Sequence, residues 1–274
     1  MKTRLLPRTV FCALLALCCA LELAVTPAQA QDWAKKILDK SPRHQQWVKI
    51  HNGNRTIDTF VVYPEVKGKA PVVVLIHEIF GLSDWARSMA DDLAAAGYIV
   101  VAPDLLSGEG PNGGGSSAFL DRDARVKAVS ELDPNQVISD LNAAADWALK
   151  QPAANGKLAV VGFCWGGGKS FAFATQRKDL TAAFVFYGTT PPDVSGITAP
   201  VYGFYAGNDA RISATVPATR ETMKSAGKKY DAVIYPGAGH GFMRAGEDPE
   251  NTNPANVTAR KEGLARLEKL LKSM

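Results

Sequence analysis

Gly162-Phe163-Cys164-Trp165-Gly166 follows the apolar run Leu158-Ala159-Val160-Val161 and precedes Gly167 to Arg177, where Phe171, Ala172 and Ala174 sit among small residues. A strand that turns sharply into a helix presses its backbone together, so the residues two before and two after the apex must lack a Cβ. The order apolar strand, G-x-C-x-G, helix is therefore the sequence form of a nucleophile elbow, with a thiol where a serine is usual. A thiol at that apex is presented to substrate. The free N–H groups and positive dipole end of the following helix favour thiolate and, later, an oxyanion. The bland reading, a small buried cysteine in a glycine-rich turn, is the lesser one, because strand and helix textures flank the motif on the correct sides.

Working outward, Trp47 to His51 and Thr56 to Tyr63, separated by Asn52-Gly53-Asn54, read as a β-hairpin. From Pro71 the texture alternates. Val72 to Ile76, Tyr98 to Val101, Leu158 to Val161, Ala182 to Phe186, Val201 to Tyr205 and Ala232 to Tyr235 are strand candidates. Helical patterns occupy Ser83 to Ala96, Asn135 to Lys150, Gly167 to Arg177, Ser213 to Ala226 and Ala255 to Lys272, with a short piece at Trp33 to Asp39. An antiparallel start followed by repeated βα units predicts an α/β protein with a mostly parallel central sheet, an antiparallel N-terminal hairpin and helices on both faces. Leu106 to Glu131, glycine-rich first and helical later, reads as an excursion beside the site, with a lid as one of its uses.

Residues 1–30 read as a secretory leader: Lys2, Arg4 and Arg8 form a basic start, Val10 to Leu23 is apolar, and Ala28-Gln29-Ala30 is an A-x-A cleavage signature. Cleavage after Ala30 and export, to a periplasm, are the expectation, leaving residues 31–274 as one domain with no membrane anchor. Cys12, Cys18 and Cys19 depart with the leader, so Cys164 becomes the sole cysteine and an internal disulfide is excluded. Lys2, Arg4, Arg8 and Glu22 also take two of the formal +4 charges with them, and no basic block or aromatic-interleaved stripe stands out. Nucleic acid is therefore not an expected partner. The expected partner is a small-molecule ester or lactone; no metal or organic cofactor is called for, and a monomer is favoured while the oligomeric state stays open.

A thiol nucleophile needs a base, and only four histidines exist. His44 and His51 flank the first strand of the hairpin and His77 ends an early strand, whereas His240 lies in Gly237-Ala238-Gly239-His240-Gly241-Phe242, a loop after the last strand and before the terminal helix. That is the place of the base in the α/β-hydrolase fold, whose order is nucleophile, acid, histidine. Among Asp179, Asp193, Asp209, Glu221 and Asp231, the residues that could supply the acid, Asp209 follows the strand Val201 to Tyr205 through Ala206-Gly207-Asn208. It therefore stands at the carboxyl end of a strand, where sites of open α/β sheets gather. His77-Glu78-Ile79-Phe80-Gly81 closes the early strand and lacks the second histidine of an H-E-x-x-H zinc site. Its position is that of the loop supplying one oxyanion-hole amide, here the N–H of Ile79, with the other from Trp165.

Taken together, His77-Glu78-Ile79-Phe80-Gly81-Leu82, Gly97-Tyr98 with Ala102-Pro103-Asp104-Leu105, Gly162-Phe163-Cys164-Trp165-Gly166-Gly167, Asp209 and Gly239-His240-Gly241-Phe242 resemble the dienelactone hydrolase family, from about Trp47 to the C-terminus. The resemblance implies a Cys164, Asp209, His240 triad that cleaves a lactone or ester through a thioester. It also implies that Glu78 contacts the resting thiol and helps activate it once substrate binds. Two arginines hold the substrate carboxylate in that family. Arg244 matches one, but Leu106-Ser107-Gly108-Glu109 stands where the other is due, which loosens the substrate assignment. Arg211, two residues after Asp209, is a candidate compensating residue or a salt-bridged surface arginine, and Trp165, Phe80 and Phe242 are candidate pocket walls. Two other classes stay open. A glutamine-amidotransferase-like protein shares the G-x-C-x-G elbow but wants a His-x-Glu pair, and Gly241-Phe242 follows His240 here. A non-catalytic binding or redox-sensing protein of the same fold would use Cys164 as a reversibly oxidised thiol.

Overall fold

A two-residue turn, Gly53-Asn54, with Gly53 in the left-handed region at φ 59°, joins β1 (Gln45–Asn52) to β2 (Arg55–Val62) in antiparallel register from Asn52↔Arg55 to Gln45↔Val62. The structure, a computed structural model, describes residues 31–274. The leader read at residues 1–30 lies outside the described residues. A short helix, α1 (Asp32–Lys40), precedes the hairpin. After it come β3 (Ala70–Ile76), α2 (Asp84–Ala95), β4 (Ile99–Pro103), α3 (Arg122–Glu131), α4 (Pro134–Leu149), β5 (Ala154–Phe163) and α5 (Trp165–Gln176). The chain closes with β6 (Leu180–Phe186), β7 (Val201–Ala206), α6 (Ala210–Ser213), α7 (Val216–Ser225), β8 (Tyr230–Tyr235), α8 (Phe242–Ala245) and α9 (Pro254–Lys272).

The eight strands form one sheet in the order β1-β2-β4-β3-β5-β6-β7-β8. β2 pairs antiparallel with β1 and β4, and every pairing from β4 to β8 is parallel. The chain leaves β3 for β4 on one side and then returns to β5 on the other. The carboxyl ends of β3 and β5 therefore flank the point where strand order reverses, the crevice in which open α/β sheets bind ligands. Both faces of the sheet are covered, so the central strands are continuous apolar runs: Val72 to Ile76 are all 0% exposed. Each such side chain contributes about 1.5–3 kcal/mol on burial. Val73 and Leu75 pack with α1, α2 and α9 on one face, while Val72, Val74 and Ile76 pack with α4, α5 and α7 on the other.

Two elements differ from the sequence reading. The single helix expected over Ser213 to Ala226 is two: Asp209 caps α6 early by accepting from the Ile212 N–H, and Pro217, which has no N–H, occupies the first turn of a separate α7. The helix expected from Gly167 begins at Trp165, directly after the elbow. The excursion at Leu106 to Glu131 contains two single 3₁₀ turns, Pro111–Gly113 and Ser116–Ala118, before α3. It is anchored by the buried carboxylate of Asp104, which accepts from the Leu106 N–H (3.1 Å) and from the N–H (2.7 Å) and O–H (2.6 Å) of Ser116. Ser116 Oγ in turn accepts from the Leu82 N–H, binding the excursion to the loop after β3. Among the described residues no helix is long and apolar enough to cross a membrane.

Candidate active site

Cys164 is the single residue between β5 and α5, with φ 58° and ψ −118°. A non-glycine residue in that half of conformational space costs about 1–3 kcal/mol, so the surroundings must impose it. Its N–H donates to the Phe186 carbonyl (3.0 Å), and its own carbonyl accepts from the Gly167 N–H (3.0 Å). The glycines of the motif have a steric cause. A Cβ on Gly162 would overlap the Gly166 carbonyl, and one on Gly166 would overlap the carbonyls of Ile76 and His77. This backbone contact seats the elbow directly against the end of β3, from which the loop carrying Glu78, Ile79 and Phe80 departs.

The thiol meets its neighbours at bonding distance. Cys164 Sγ lies 3.1 Å from His240 Nε2, and His240 Nδ1 lies 2.5 Å from Asp209 Oδ2. Asp209 is 8% exposed, and its other oxygen accepts from the Ile212 N–H at 3.3 Å, which fixes the carboxylate by the same bond that caps α6. The backbone N–H groups of Trp165 and Ile79 are directed at the sulfur. Burial and then the charge of Glu78 push the thiol up to about 11, against the pull of those two amides and of Arg211. The resting sulfur therefore keeps its proton and donates it toward Nε2, which leaves Nδ1–H to face Asp209.

Glu78 is 3% exposed and is placed differently from the expectation that it contacts the resting thiol. Its Oε2 accepts from Arg244 Nε at 2.9 Å, and its Oε1 from the Tyr187 hydroxyl at 3.4 Å. A buried carboxylate is better satisfied by a guanidinium and a phenol than by a neutral thiol, so the Sγ bond goes to His240 instead. Arg244, which matches one of the family's two carboxylate-holding arginines, is engaged by Glu78, with its guanidinium carbon 5.2 Å from the centre of the Phe80 ring. Arg211 is exposed and has no ion pair among the described residues, so the surface salt bridge read for it is absent there, while its charge reaches the thiol.

Phe80 is partly buried and Phe242 fully buried; Phe242 packs on Tyr187 rather than forming an open wall. Tyr187 itself was missed. It is 1% exposed, has a positive φ of 41°, and turns its ring edge to His240 with centroids 5.0 Å apart. Burial holds its hydroxyl protonated, so it remains a donor to Glu78. His77 was passed over as a strand end. It is fully buried, donates from Nδ1 to the Glu78 carbonyl (2.7 Å), and stacks on Trp165 at 5.5 Å. Burial lowers its pKa, so it stays neutral beneath the loop. His44 and His51 are exposed at the hairpin, apart from the site. No group of three His, Cys, Asp or Glu suited to a metal ion occurs among the described residues.

The arrangement can make a thiolate only by passing the sulfur proton to an imidazole that is already oriented by a carboxylate. It offers two N–H groups to charge that develops beside the sulfur. Comparison with known proteins finds relatives among hydrolases. The model of the dienelactone hydrolase family matches residues 57–274. A protein of Methylorubrum extorquens assigned by name to carboxymethylenebutenolidase is 32% identical, with 97% of this chain and 92% of that protein covered. One from Salmonella typhi with the same assignment is 34% identical over 190 residues, covering 64% of this chain and 68% of its own length. The crystal structure of a Klebsiella pneumoniae protein assigned as a dienelactone hydrolase superimposes with a TM-score of 0.70 at 26% identity, covering 81% of this chain and 97% of that one.

Proposed function

The chain belongs to the dienelactone hydrolase family, and from that premise we propose that it hydrolyses a lactone or carboxylic ester by acyl transfer to Cys164, with His240 as base and acid and Asp209 as its orienting carboxylate. The observation that carries the reading is the unbroken line from sulfur to imidazole to carboxylate, 3.1 Å and 2.5 Å long, beneath two amides aimed at the sulfur. Cys164 Sγ gives its proton to His240 Nε2 and attacks the acyl carbon. The oxygen of the tetrahedral intermediate takes the N–H bonds of Ile79 and Trp165, one such bond being worth about 2.7–4 kcal/mol. His240 returns the proton to the leaving alkoxide, and a thioester remains. Water then attacks that thioester, His240 takes its proton, and the acid leaves as sulfur regains a hydrogen from His240. Asp209 accepts from Nδ1–H throughout and holds the imidazolium that forms at each proton transfer. In this reading Glu78 keeps the empty site quiet: its charge raises the thiol pKa, which limits oxidation of the sulfur between turnovers.

Cys164→Ala is expected to abolish turnover of an activated ester such as p-nitrophenyl acetate, with an unchanged far-UV circular dichroism spectrum and melting temperature. Turnover in that variant comparable with the parent's sinks the assignment. We propose further that the protein is exported and cleaved after Ala30. Mass spectrometry of the periplasmic fraction of the native host should find a chain beginning at Gln31, and recovery of only the uncleaved chain, in the cytosol, removes that reading.

A further inference from the structure

The peptide group that joins Glu78 to Ile79 has two ends with different neighbours. Its N–H, on Ile79, is directed at Cys164 Sγ. Its oxygen, on Glu78, accepts from His77 Nδ1 at 2.7 Å and from the Gly81 N–H at 3.1 Å. The second bond closes a tight turn from Glu78 to Gly81, with Gly81 in the left-handed region at φ 72°. The first comes from a fully buried ring, which cannot swing away into solvent. An amide is planar, so a donor that pins the oxygen also fixes the direction of the N–H across the C–N bond. Polarisation acts in the same sense: a hydrogen bond accepted by the carbonyl makes the N–H of that amide a stronger donor.

The same ring meets the residue that carries the second amide. His77 stacks on the Trp165 indole, with centroids 5.5 Å apart and planes 10° from parallel. Trp165 opens α5, and its N–H is the other one directed at the sulfur. The backbone carbonyls of Ile76 and His77 lie against Gly166, where a Cβ would overlap them. One buried side chain therefore bears on both walls of the space beside the sulfur, the loop after β3 and the start of α5.

His77 holds this position at a cost. With Nδ1–H donating, Nε2 presents a lone pair, and that atom is buried with no hydrogen-bond partner among the described residues. Burial lowers the pKa of the ring against the charge of Asp104, so no second proton arrives to change that. A leucine or phenylalanine would fill the place without an orphaned nitrogen. What no apolar side chain supplies is the Nδ1–H to the Glu78 carbonyl.

We propose that His77 is a positioning residue for the oxyanion: its ring sets the direction and donor strength of the Ile79 N–H through the shared peptide group, and braces the Trp165 side by stacking. This rests on Cys164 being the nucleophile, since the two amides meet the acyl oxygen only when the acyl carbon is at that sulfur. His77 itself exchanges no proton in the reaction and acts through the amides alone.

Three variants of the mature chain separate the donor from the ring. His77→Asn retains an N–H near the place of Nδ1 but loses the stack, His77→Leu has nearly the same shape with no donor, and His77→Phe keeps a ring with no donor. On p-nitrophenyl acetate, His77→Leu and His77→Phe should lose kcat by about tenfold or more with KM nearly unchanged, because a misdirected amide forfeits part of what its removal costs. His77→Asn should recover most of that loss. The second readout is an alkyl trifluoromethyl ketone. The sulfur of Cys164 adds to its carbonyl carbon, the π pair moves onto oxygen as an oxyanion, and the thiol proton passes to His240, so its affinity reports the same amides without turnover. Binding should weaken by about tenfold or more in His77→Leu relative to His77→Asn. A merely structural role would slow all three variants alike, so His77→Asn as slow as His77→Leu overturns the proposal, and so does His77→Phe with the kcat of the parent. If His77→Phe does not fold, the His77→Asn and His77→Leu pair decides. Ester turnover that survives Cys164→Ala overturns the nucleophile and this proposal with it, whereas turnover lost in Cys164→Ala but equal across the three His77 variants removes only the positioning role.

Discussion

Cys164 retains its proton for two separable reasons, burial and the neighbouring charge of Glu78, and only the second can be removed without opening the site. Glu78→Gln keeps an acceptor for Tyr187 but removes a negative charge and leaves that of Arg244 unneutralised, so the sulfur sits in a more positive field. The thiol pKa should fall from about 11 toward its ordinary value. Because each unit is a tenfold gain in thiolate at fixed pH, alkylation of Cys164 by iodoacetamide at pH 8 should accelerate several-fold or more. A pH–rate profile that superimposes on the parent's would show that the charge of Glu78 does not reach the sulfur. The residues of the sulfur line were legible in sequence because the elbow, the strand end and the late loop each leave a local mark. Tyr187 left none, since it acts through a fold that returns it to Glu78, 109 positions away in sequence. Glu78 was legible as a site residue but not in its contact, since which partner a buried carboxylate chooses depends on where Arg244 comes to rest.

Every strand expected from apolar runs is present, with boundaries moved by at most four residues, because a strand buried on both faces writes itself as continuous Val, Ile and Ala. The hairpin was equally legible, its turn narrowing from three residues to Gly53-Asn54 once the strands paired in register. Helices were less faithfully written where a side chain and a ring decide the boundary. Asp209 serves both as partner of His240 and as the cap of α6, and that second role starts a helix three residues before the apolar pattern does. Pro217 then forces a fresh start. The excursion before α4 illustrates the opposite case: its start is rich in glycine, yet Asp104 collects three hydrogen bonds from Leu106 and Ser116, and Ser116 Oγ accepts from the Leu82 N–H in the loop after β3. An excursion anchored in this way suits a fixed wall rather than a swinging lid.

At the scale of the molecule, α9 packs with α1 and α2 on one face of the sheet, and its attachment to α2 runs through one guanidinium. Arg260 of α9 bonds Asp92 of α2 at 3.0 Å and Glu247, beyond α8, at 2.6 Å. Glu247 also accepts from the indole N–H of Trp85, a side chain that is 0% exposed. Asp91, the neighbour of Asp92, is occupied by Arg43, so Arg260 is the cation that separates Asp92 from Glu247. Burial, and next the charge of Glu247, raise Asp92 to about 6, against the effect of Arg260. A carboxyl whose folded pKa lies above its unfolded value of 3.8 binds its proton more tightly when folded. Its contribution to stability is therefore complete below that unfolded value and is lost as pH rises through about 6. Arg260→Met removes the opposing cation, so the folded pKa climbs further and the loss continues to higher pH. Denaturant unfolding should find the variant less stable by about 1.5–3 kcal/mol at pH 8, with the difference shrinking steadily toward pH 4, where Asp92 is protonated. A destabilisation of equal size at both ends of that range would mean that Arg260 holds α9 by packing of its stem alone, and the electrostatic account of how this face is clamped would be wrong.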